Sequence, residues 1–350
     1  MEMKINKIKT HELEKCYAVC PLVYQGKEHL LAAAEKVNKC LLFDLDGNLE
    51  ETVWEGPGGT MTMVQVPGSD GEFLASQKFY SPNDSKEAEI VLASPRGKDD
   101  WAVKTLAALP FVHRFDILES GGIKYLIACT LKSGHEYKDD WSSPGKIWVG
   151  ELPDDLSAVD KDHPLCLTVL KDGLLKNHGY CRVEDEEGVW AAVAADNGIF
   201  KVVPPAGKGG EWAVETLSED AASDVAFADL DGDGQAEMLV MTPFHGDVIK
   251  IYKKTDSMYT CVKTFEEPYE FAHGIWGTEI DKKGVIIVGH RKGKRNLLAC
   301  MYDGKDYVME VLDEDVGPAN VRCYDKGRKT GLISTNREIN EIAFYEIESI

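Results

Sequence analysis

The sequence predicts an all-β fold, a single seven-bladed β-propeller that spans residues 1–350. Two observations lead to this prediction. Short strand-like segments recur with a period of about 45 residues, and the two ends of the chain supply complementary parts of one repeat. Long amphipathic helical patterns are nearly absent. A period of this length, with four short strands in each unit, is typical of propellers, in which each repeat forms one blade.

The segment that is easiest to align is the fourth strand of each unit. WAVKTL begins at Trp101 and WAVETL at Trp212, and the segments that begin at Tyr259 and Tyr307 are similar. Each alternates apolar and polar residues, which is the period-two pattern of a half-buried strand. Counting the first strands gives seven blades, which start near residues 16, 60, 111, 177, 223, 271 and 319.

The last unit differs from the others because it lacks a fourth strand. It ends at the C-terminus after NVRCY, TGLIST and EIAFYEI. The segment MKINKIKT, within residues 1–10, fits as the missing strand. We therefore expect the N-terminal strand to complete the last blade, so that the ring closes without an open sheet edge.

Composition limits the partners of the chain. The formal net charge is -21, with 60 acidic and 39 basic residues, which argues against nucleic acid as a partner. No apolar segment has the length of a signal peptide or a membrane span, and none of the nine cysteines forms a CxxC pair. These features predict a cytoplasmic protein with reduced thiols and no membrane partner, and they leave the oligomeric state open.

Propeller geometry predicts that histidines meet at one end of the ring. The first strand of each blade starts at that end, and the second strand runs back to it. His113, His178 and His273 stand at the starts of first strands, and His245 and His290 at the ends of second strands. We expect these side chains to line one mouth of the central channel, where converging polar groups make a ligand pocket.

Further side chains are expected at the same mouth as substrate contacts. His135 and Trp141 lie in the long insertion SGHEYKDDWSSPG, which should overhang it, and Trp141 is suited to stacking on a sugar ring. Arginines occur in the same zones of the repeats. The predicted polar and aromatic lining is thus His113, His178, His245, His273, His290, His135, Trp141, Arg96, Arg114, Arg291 and Arg337.

Histidine and arginine together suit one kind of chemistry. A neutral histidine can remove a proton next to a carbonyl or carboxylate, and arginine can hold a carboxylate or stabilise the resulting oxyanion. β-Elimination can follow. The same histidines, in particular His178, His245 and His273, are also suitable ligands for a divalent metal ion such as Mn, Mg, Zn or Ca. No phosphate-binding glycine loop is present, so no nucleotide cofactor is expected.

A second candidate metal site is the acidic segment DLDGDGQAE. Asp229, Asp231, Asp233 and Glu237 have the oxygen-ligand spacing of a calcium loop, although not the full EF-hand pattern. Such a loop would be structural. An acidic turn without metal is the alternative.

Several of these segments also resemble a known family. DDWAVKTLAALPFVHR, MTPFHGDVIKIYKK and the DLDGDG loop are similar to segments in the propeller domain of aldos-2-ulose (anhydrofructose) dehydratase, and the likeness extends roughly over residues 98–255. The resemblance implies a lyase or dehydratase that acts on a keto sugar. It implies that His113 is the base with Arg114 beside it, and that His178 and His245 bind substrate or metal. The cupin domains, which carry the later isomerisation step in that family, are absent, so the resemblance does not extend to that step.

Three functions therefore stand at this point. The first is a carbohydrate lyase or dehydratase. The second is a propeller that binds a carbohydrate or a protein without catalysis, since a fold does not decide function. The third is a metal-dependent sugar hydrolase or isomerase that uses the histidine cluster.

Overall fold

The computed structural model describes residues 3–37, 39–255 and 258–349. Apart from one short 3₁₀ helix (Arg337–Ile339), the regular elements in this part of the chain are strands. They are β1 (Met3–Glu12), β2 (Cys16–Tyr24), β3 (Lys27–Ala34), β4 (Cys40–Phe43), β5 (Leu49–Trp54), β6 (Met63–Gln65), β7 (Phe73–Gln77), β8 (Glu89–Gly97), β9 (Asp100–Ala108), β10 (Val112–Ser120), β11 (Ile123–Lys132), β12 (Pro144–Leu152), β13 (Thr168–Leu174), β14 (Gly179–Asp185), β15 (Gly188–Ala195), β16 (Gly198–Val203), β17 (Ala213–Ser218), β18 (Asp224–Ala228), β19 (Glu237–Thr242), β20 (Val248–Thr255), β21 (Met258–Thr264), β22 (Ala272–Ile280), β23 (Lys283–His290), β24 (Leu297–Tyr302), β25 (Tyr307–Asp313), β26 (Asn320–Asp325), β27 (Thr330–Asn336) and β28 (Glu341–Ser349).

These strands form seven antiparallel sheets of four strands each, which confirms the predicted seven-bladed propeller. Six blades use consecutive strands, from β2–β5 to β22–β25. The first strand of each blade lies at the channel and the fourth at the rim. Because successive strands reverse direction, the starts of the first strands and the connections between second and third strands share one end of the ring. We call it the histidine end, after His113, His178 and His273.

The seventh blade contains both ends of the chain. Its order is β26, β27, β28 and then β1, and β1 pairs with β28 from Met3 opposite Ser349 to Glu12 opposite Glu341. The predicted closure by the N-terminal strand is therefore confirmed. Lys7 adds ion pairs to Asp313 at 2.8 Å and to Glu341 at 3.1 Å, so the closing strand is also joined to the neighbouring sixth blade.

The core lies between neighbouring blades rather than inside one sheet. The middle strands are covered on both faces, so they carry continuous apolar runs such as Tyr125–Cys129 in β11 and Trp190–Ala195 in β15. The first strands remain partly polar because they line the channel; the sequence GYCRVED of β14 is an example. This division leaves the polar side chains of the first strands free to build a site.

The cysteines are unpaired, and most of them lie in the core. All nine cysteines are free, and six of them are buried, among them Cys129 and Cys300. Cys16 and Cys20 donate to backbone carbonyls of Glu341 and Pro21 and do not pair with each other. Among the described residues, no helix has the length and apolarity needed to cross a membrane.

Candidate functional site

Four histidines form a layer across the channel at the histidine end. His178 is at the centre of this layer: its ring centroid lies 4.5 Å from that of His113, 5.0 Å from that of His245 and 5.1 Å from that of His273. The rings of His245 and His273 are 5.5 Å apart. The four side chains come from blades three to six, so the predicted convergence from different blades is present for these residues.

Three equivalent β-bulges point side chains into this layer. Pairing between first and second strands skips Tyr17 in β2, His113 in β10 and His273 in β22. A bulge leaves one residue out of the hydrogen-bonding ladder and redirects its side chain. In each case the skipped residue points across the channel, so the same backbone device places a tyrosine and two histidines in one layer.

A positive φ angle precedes each bulge by two residues. It is 52° at Lys15, 64° at Phe111 and 58° at Phe271. Such angles are uncommon for residues other than glycine, and they cluster near functional sites because the surrounding structure must hold them. His245 itself has φ 51° and lies in the loop between β19 and β20, where its ring stacks on Phe244 at a centroid distance of 3.9 Å.

Backbone carbonyls fix the orientation of two rings. The Nδ1–H of His178 donates to the carbonyl of Ser223 at 3.0 Å, and the Nδ1–H of His273 donates to the carbonyl of Ala319 at 2.7 Å. Since a carbonyl only accepts, the lone pair of each ring is on Nε2, and that of His178 has no hydrogen-bond partner among the described residues. The Tyr17 hydroxyl donates to Nε2 of His273 at 3.0 Å and lies 3.5 Å from Nε2 of His113.

Burial keeps these four rings neutral. It lowers the pKa of His178 to about 3, with a further contribution from Arg114, and it holds the pKa values of His113, His245 and His273 well below their usual range. Burial likewise raises the pKa of Tyr17 to about 12. At neutral pH the layer therefore offers unprotonated imidazole nitrogens beside a protonated phenol.

The neutral histidines predict a pH dependence of stability. In the unfolded chain each ring returns to an ordinary pKa of about 6.5, so below that pH the unfolded state binds more protons. The free energy of unfolding should therefore be highest, as far as these rings decide it, above about pH 6.5. Below that pH it should fall by about 1.4 kcal/mol per pH unit for each histidine. Urea unfolding of metal-free protein over a pH series measures this slope. The slope should be shallower for His178→Gln than for the wild type. An unchanged slope would contradict the burial of His178 as a neutral ring.

Three of the histidines fit a metal ion. One nitrogen from each of His178, His245 and His273 lies within 4.8 Å of the others. The Nε2 atoms of His178 and His245 are buried and have no hydrogen-bond partner among the described residues. Neutral imidazole suits Zn²⁺ and other transition metals, and the carbonyl contacts of Nδ1 in His178 and His273 are the usual supports of such ligands.

The buried arginines at the histidine end are already paired. Arg291 stacks on Phe271 at 4.6 Å and donates to Oε1 of Glu338 at 2.8 and 2.7 Å. Arg337 donates to the same Glu338 oxygen at 2.9 Å and to the carboxylate of Glu35. Both guanidinium groups are near the site, as expected from the sequence, but two carboxylates hold them.

Arg114 points away from the mouth, toward the channel beyond the histidine layer. Its NH1 donates to the Met61 carbonyl at 3.2 Å, and its NH2 lies 3.7 Å from Oδ2 of Asp224. Burial raises the pKa of Asp224 to about 6 although Arg114 opposes the shift. The residue expected to stand beside His113 at the mouth thus contacts a carboxylate within the channel.

Aromatic side chains flank the layer on the side of the fourth blade. Trp141 contacts Phe244 at a centroid distance of 5.2 Å, and the Lys132 ammonium lies 4.2 Å above the Trp141 ring. His135 is farther out, where its ring meets Phe111 at 5.9 Å. The insertion between β11 and β12 therefore overhangs the histidine end, as expected.

Two expected site residues are elsewhere. Arg96 is exposed at the turn between β8 and β9, which lies at the opposite end of the ring. Its segment follows a third strand, not a second, so the predicted position is wrong. His290 is at the histidine end, but both ring nitrogens are used locally: Nδ1 donates to the Lys292 carbonyl at 2.9 Å, and Nε2 accepts from the Asn296 amide at 3.0 Å. It shapes its own loop and does not join the layer.

The acidic loop also lies at the opposite end, between β18 and β19. Ligand atoms of Asp229, Asp231 and Glu237 lie within 4.8 Å of one another. The Lys253 ammonium pairs with Asp231, with Asp233 at 2.8 Å and with Glu237 at 3.1 Å. These hydrogen bonds raise the pKa of Lys253. Its ammonium group supplies the positive charge that calcium would bring. Calcium binding stays a prediction.

Removing this lysine should reveal which cation the loop uses. Lys253→Gln leaves the buried Glu237 without its charged partner, so we expect the free energy of unfolding to fall by about 1–3 kcal/mol. Calcium should restore part of this loss in the variant and leave the wild type unchanged. Thermal unfolding with calcium or with chelator measures both effects. A calcium-dependent rise in the wild type would mean that the loop binds calcium despite Lys253.

Tyr17 is the site residue that the sequence analysis missed. A tyrosine in an apolar strand is ordinary, so its residue type gives no signal. The alignment of the repeats does: Cys16–Tyr17 corresponds to Val112–His113 and to Ala272–His273, with the second residue of each pair at the bulge. Aligning first strands by their bulge position would have placed Tyr17 beside the histidines.

Comparison with known proteins informs the fold. No family model and no curated protein matches the chain. Among solved structures, the chain is similar to one described as the structure of the Dos1 propeller, with a TM-score of 0.58, covering 98% of this chain and 95% of that chain. The sequence identity in that comparison is 7%, so the similarity shows the propeller fold alone.

Proposed function

We propose that this protein is a carbohydrate lyase or dehydratase that removes a proton next to a carbonyl or carboxylate of a sugar and then eliminates the β-substituent. The observation that carries this proposal is the Tyr17 hydroxyl between Nε2 of His273 at 3.0 Å and Nε2 of His113 at 3.5 Å. A neutral imidazole and a protonated phenol side by side are the base and the acid that an elimination needs.

His113 is the residue best suited to act as the base. Its ring is neutral, and its Nδ1 atom is buried without a hydrogen-bond partner among the described residues. The base takes the proton from the carbon next to the carbonyl. Tyr17 donates its proton to the leaving oxygen, which departs as water or an alcohol, and the double bond forms between the two carbons. In the metal-free protein, His273 holds the Tyr17 hydroxyl in place through its Nε2 lone pair.

A divalent metal fits this reaction. When bound by His178, His245 and His273, it would supply a Lewis acid that polarises the carbonyl. The Tyr17 hydroxyl would then leave Nε2 of His273, which has one lone pair, and keep only its contact with His113. The chain itself supports that role in two ways. The carbonyl of Ser223 keeps Nε2 of His178 unprotonated, and the stacking of Phe244 on the His245 ring holds that ring in the layer.

The family resemblance supports the same reaction class. The segments similar to aldos-2-ulose dehydratase contain His113 and His245, and His178 lies between them. Those three residues lie in one layer, at centroid distances of 4.5 Å and 5.0 Å from His178. The nine free thiols agree with a reducing compartment such as the cytoplasm.

A second candidate is a propeller that binds a sugar without catalysis. Burial favours it, because His113, His178 and His273 are only 3%, 1% and 2% exposed. Trp141 and Phe244, both partly exposed at the histidine end, offer aromatic faces on which a sugar ring can stack. A binder of this kind would need the aromatic residues and no proton transfer.

A screen of keto sugars and uronides distinguishes these functions. Wild-type protein is incubated with each sugar, with and without chelator, and the absorbance of the unsaturated product is followed. The proposal expects turnover for one class of sugar. Saturable binding without product would favour the second candidate, and release of reducing sugar without an unsaturated product would favour a hydrolase. Arg96→Gln changes an exposed residue at the opposite end of the ring, so it should behave like the wild type in this screen and is the matched control.

A further inference from the structure

A cavity of about 880 Å³ lies in the channel beyond the histidine layer. Its lining residues follow the layer along the first strands: Asp116 comes after His113, Arg182 after His178, and Trp276 after His273. It extends to the acidic loop at the opposite end. The volume is that of an ordinary small-molecule pocket.

Arg322 is an unpaired cation in this cavity. Its guanidinium lies 4.2 Å above the ring of Trp276. Within residues 3–37, 39–255 and 258–349 it makes no hydrogen bond or ion pair. The other two arginines of the cavity differ: Arg114 contacts the Met61 carbonyl at 3.2 Å, and Arg182 donates to the Ile117 carbonyl at 3.0 Å.

Six carboxylates line the cavity, those of Asp116, Glu184, Asp185, Glu186, Glu187 and Asp224, and none of them pairs with Arg322 among the described residues. Asp116 accepts from the Ile117 amide at 2.7 Å and from the Tyr180 hydroxyl at 3.3 Å. Asp224 accepts from the Tyr180 amide at 3.2 Å and from the Val225 amide at 3.0 Å. Asp116 is near enough to interact electrostatically with Arg322 but makes no hydrogen bond or ion pair with it. Arg322 thus keeps its donors free, and a partly desolvated cation whose donors are unused is unfavourable. An anionic ligand would relieve that cost.

We propose that this cavity is a second ligand site, separate from the histidine layer, and that it binds a small oxyanion, a carboxylate or phosphate carried by a molecule of sugar size. Arg322 is its principal contact. The planar guanidinium, held on the Trp276 face, can donate two parallel hydrogen bonds to such a group, as arginine does wherever carboxylate or phosphate is recognised. The site goes beyond the proposed function because it needs none of the four histidines.

Binding of two simple anions tests this site. Gluconate supplies the carboxylate, inorganic phosphate supplies the phosphate, and glucose is the uncharged control; isothermal titration calorimetry measures each with wild-type protein. We expect saturable binding of at least one anion and none of glucose. Arg322→Gln should weaken binding roughly 10- to 100-fold, the loss of a charge-assisted hydrogen-bond pair. Whichever anion binds identifies the group that the site takes.

Two control variants separate this site from the other parts of the protein. Arg96→Gln removes the same charge from the same end of the ring and should bind like the wild type. His113→Gln should also bind like the wild type, so loss of lyase activity and loss of anion binding are distinguishable. The proposal is overturned if wild-type protein binds neither anion saturably, or if folded Arg322→Gln binds as tightly as the wild type.

Discussion

Replacing His113 by glutamine is expected to lower kcat for elimination by about 10²- to 10⁴-fold, the usual contribution of a positioned general base. Glutamine keeps a polar side chain in the buried layer but cannot accept the proton. KM should change little, because the Trp141 and Phe244 surface remains. The measurement is the steady-state rate of unsaturated product formation with the sugar that the wild type uses.

A second variant tests the proposed acid, Tyr17, in the same way. Tyr17→Phe removes the hydroxyl 3.0 Å from His273 and leaves the buried ring, so it should lower kcat without a comparable fall in the thermal unfolding midpoint. Circular dichroism establishes that both variants are folded. Full activity of a folded His113→Gln protein would remove His113 from its role, and full activity of Tyr17→Phe would remove the acid.

The proposed metal site predicts that His178→Gln no longer binds metal. His178 is central to the layer, and its Nε2 atom is buried without a partner in the described part of the chain. Outer-sphere partners of a metal ligand already contribute about 10- to 100-fold in affinity, so loss of a ligand should cost more. The measurement is elemental analysis of purified protein after loading with zinc or manganese and removal of free metal.

His290→Gln is the matched control for metal binding. His290 is 2% exposed, lies at the same end, and has both ring nitrogens bound within its own loop. It should retain stoichiometric metal while His178→Gln retains none. Equal metal contents in the two variants would contradict the assignment of His178, His245 and His273 as ligands.

Much of the fold follows from local pattern. Alternating strands with a regular period indicate blades, and the three-stranded last unit requires the N-terminal strand. The layer of histidines was predictable too, since strand direction alone decides which end of the ring a residue occupies. The position predicted for Arg96 is wrong because the first strand of its blade, β6, has only three residues (Met63–Gln65) and gives a weak pattern. The strand that contains Arg96 is therefore counted as the second of its blade when it is the third.

The remaining details depend on contacts that no local pattern contains. Arg337 meets Glu35, which is 302 positions away in the chain, so its pairing could not be predicted from neighbouring residues. His290 is satisfied by backbone groups of a loop that exists only in the folded protein. Arg322 lies in an ordinary strand, NVRCYD, and its lack of a partner follows from how seven blades surround the channel.

The most direct test of the proposed chemistry is a proton NMR spectrum of wild-type protein with each keto sugar or uronide in D₂O. This measurement detects both exchange of the proton next to the carbonyl and the vinyl proton of an unsaturated product. The account predicts that wild-type protein produces at least one of these signals with its sugar, and that His113→Gln produces neither. If wild-type protein binds a sugar saturably and neither signal appears, the histidine layer does not abstract a proton and the lyase proposal is wrong.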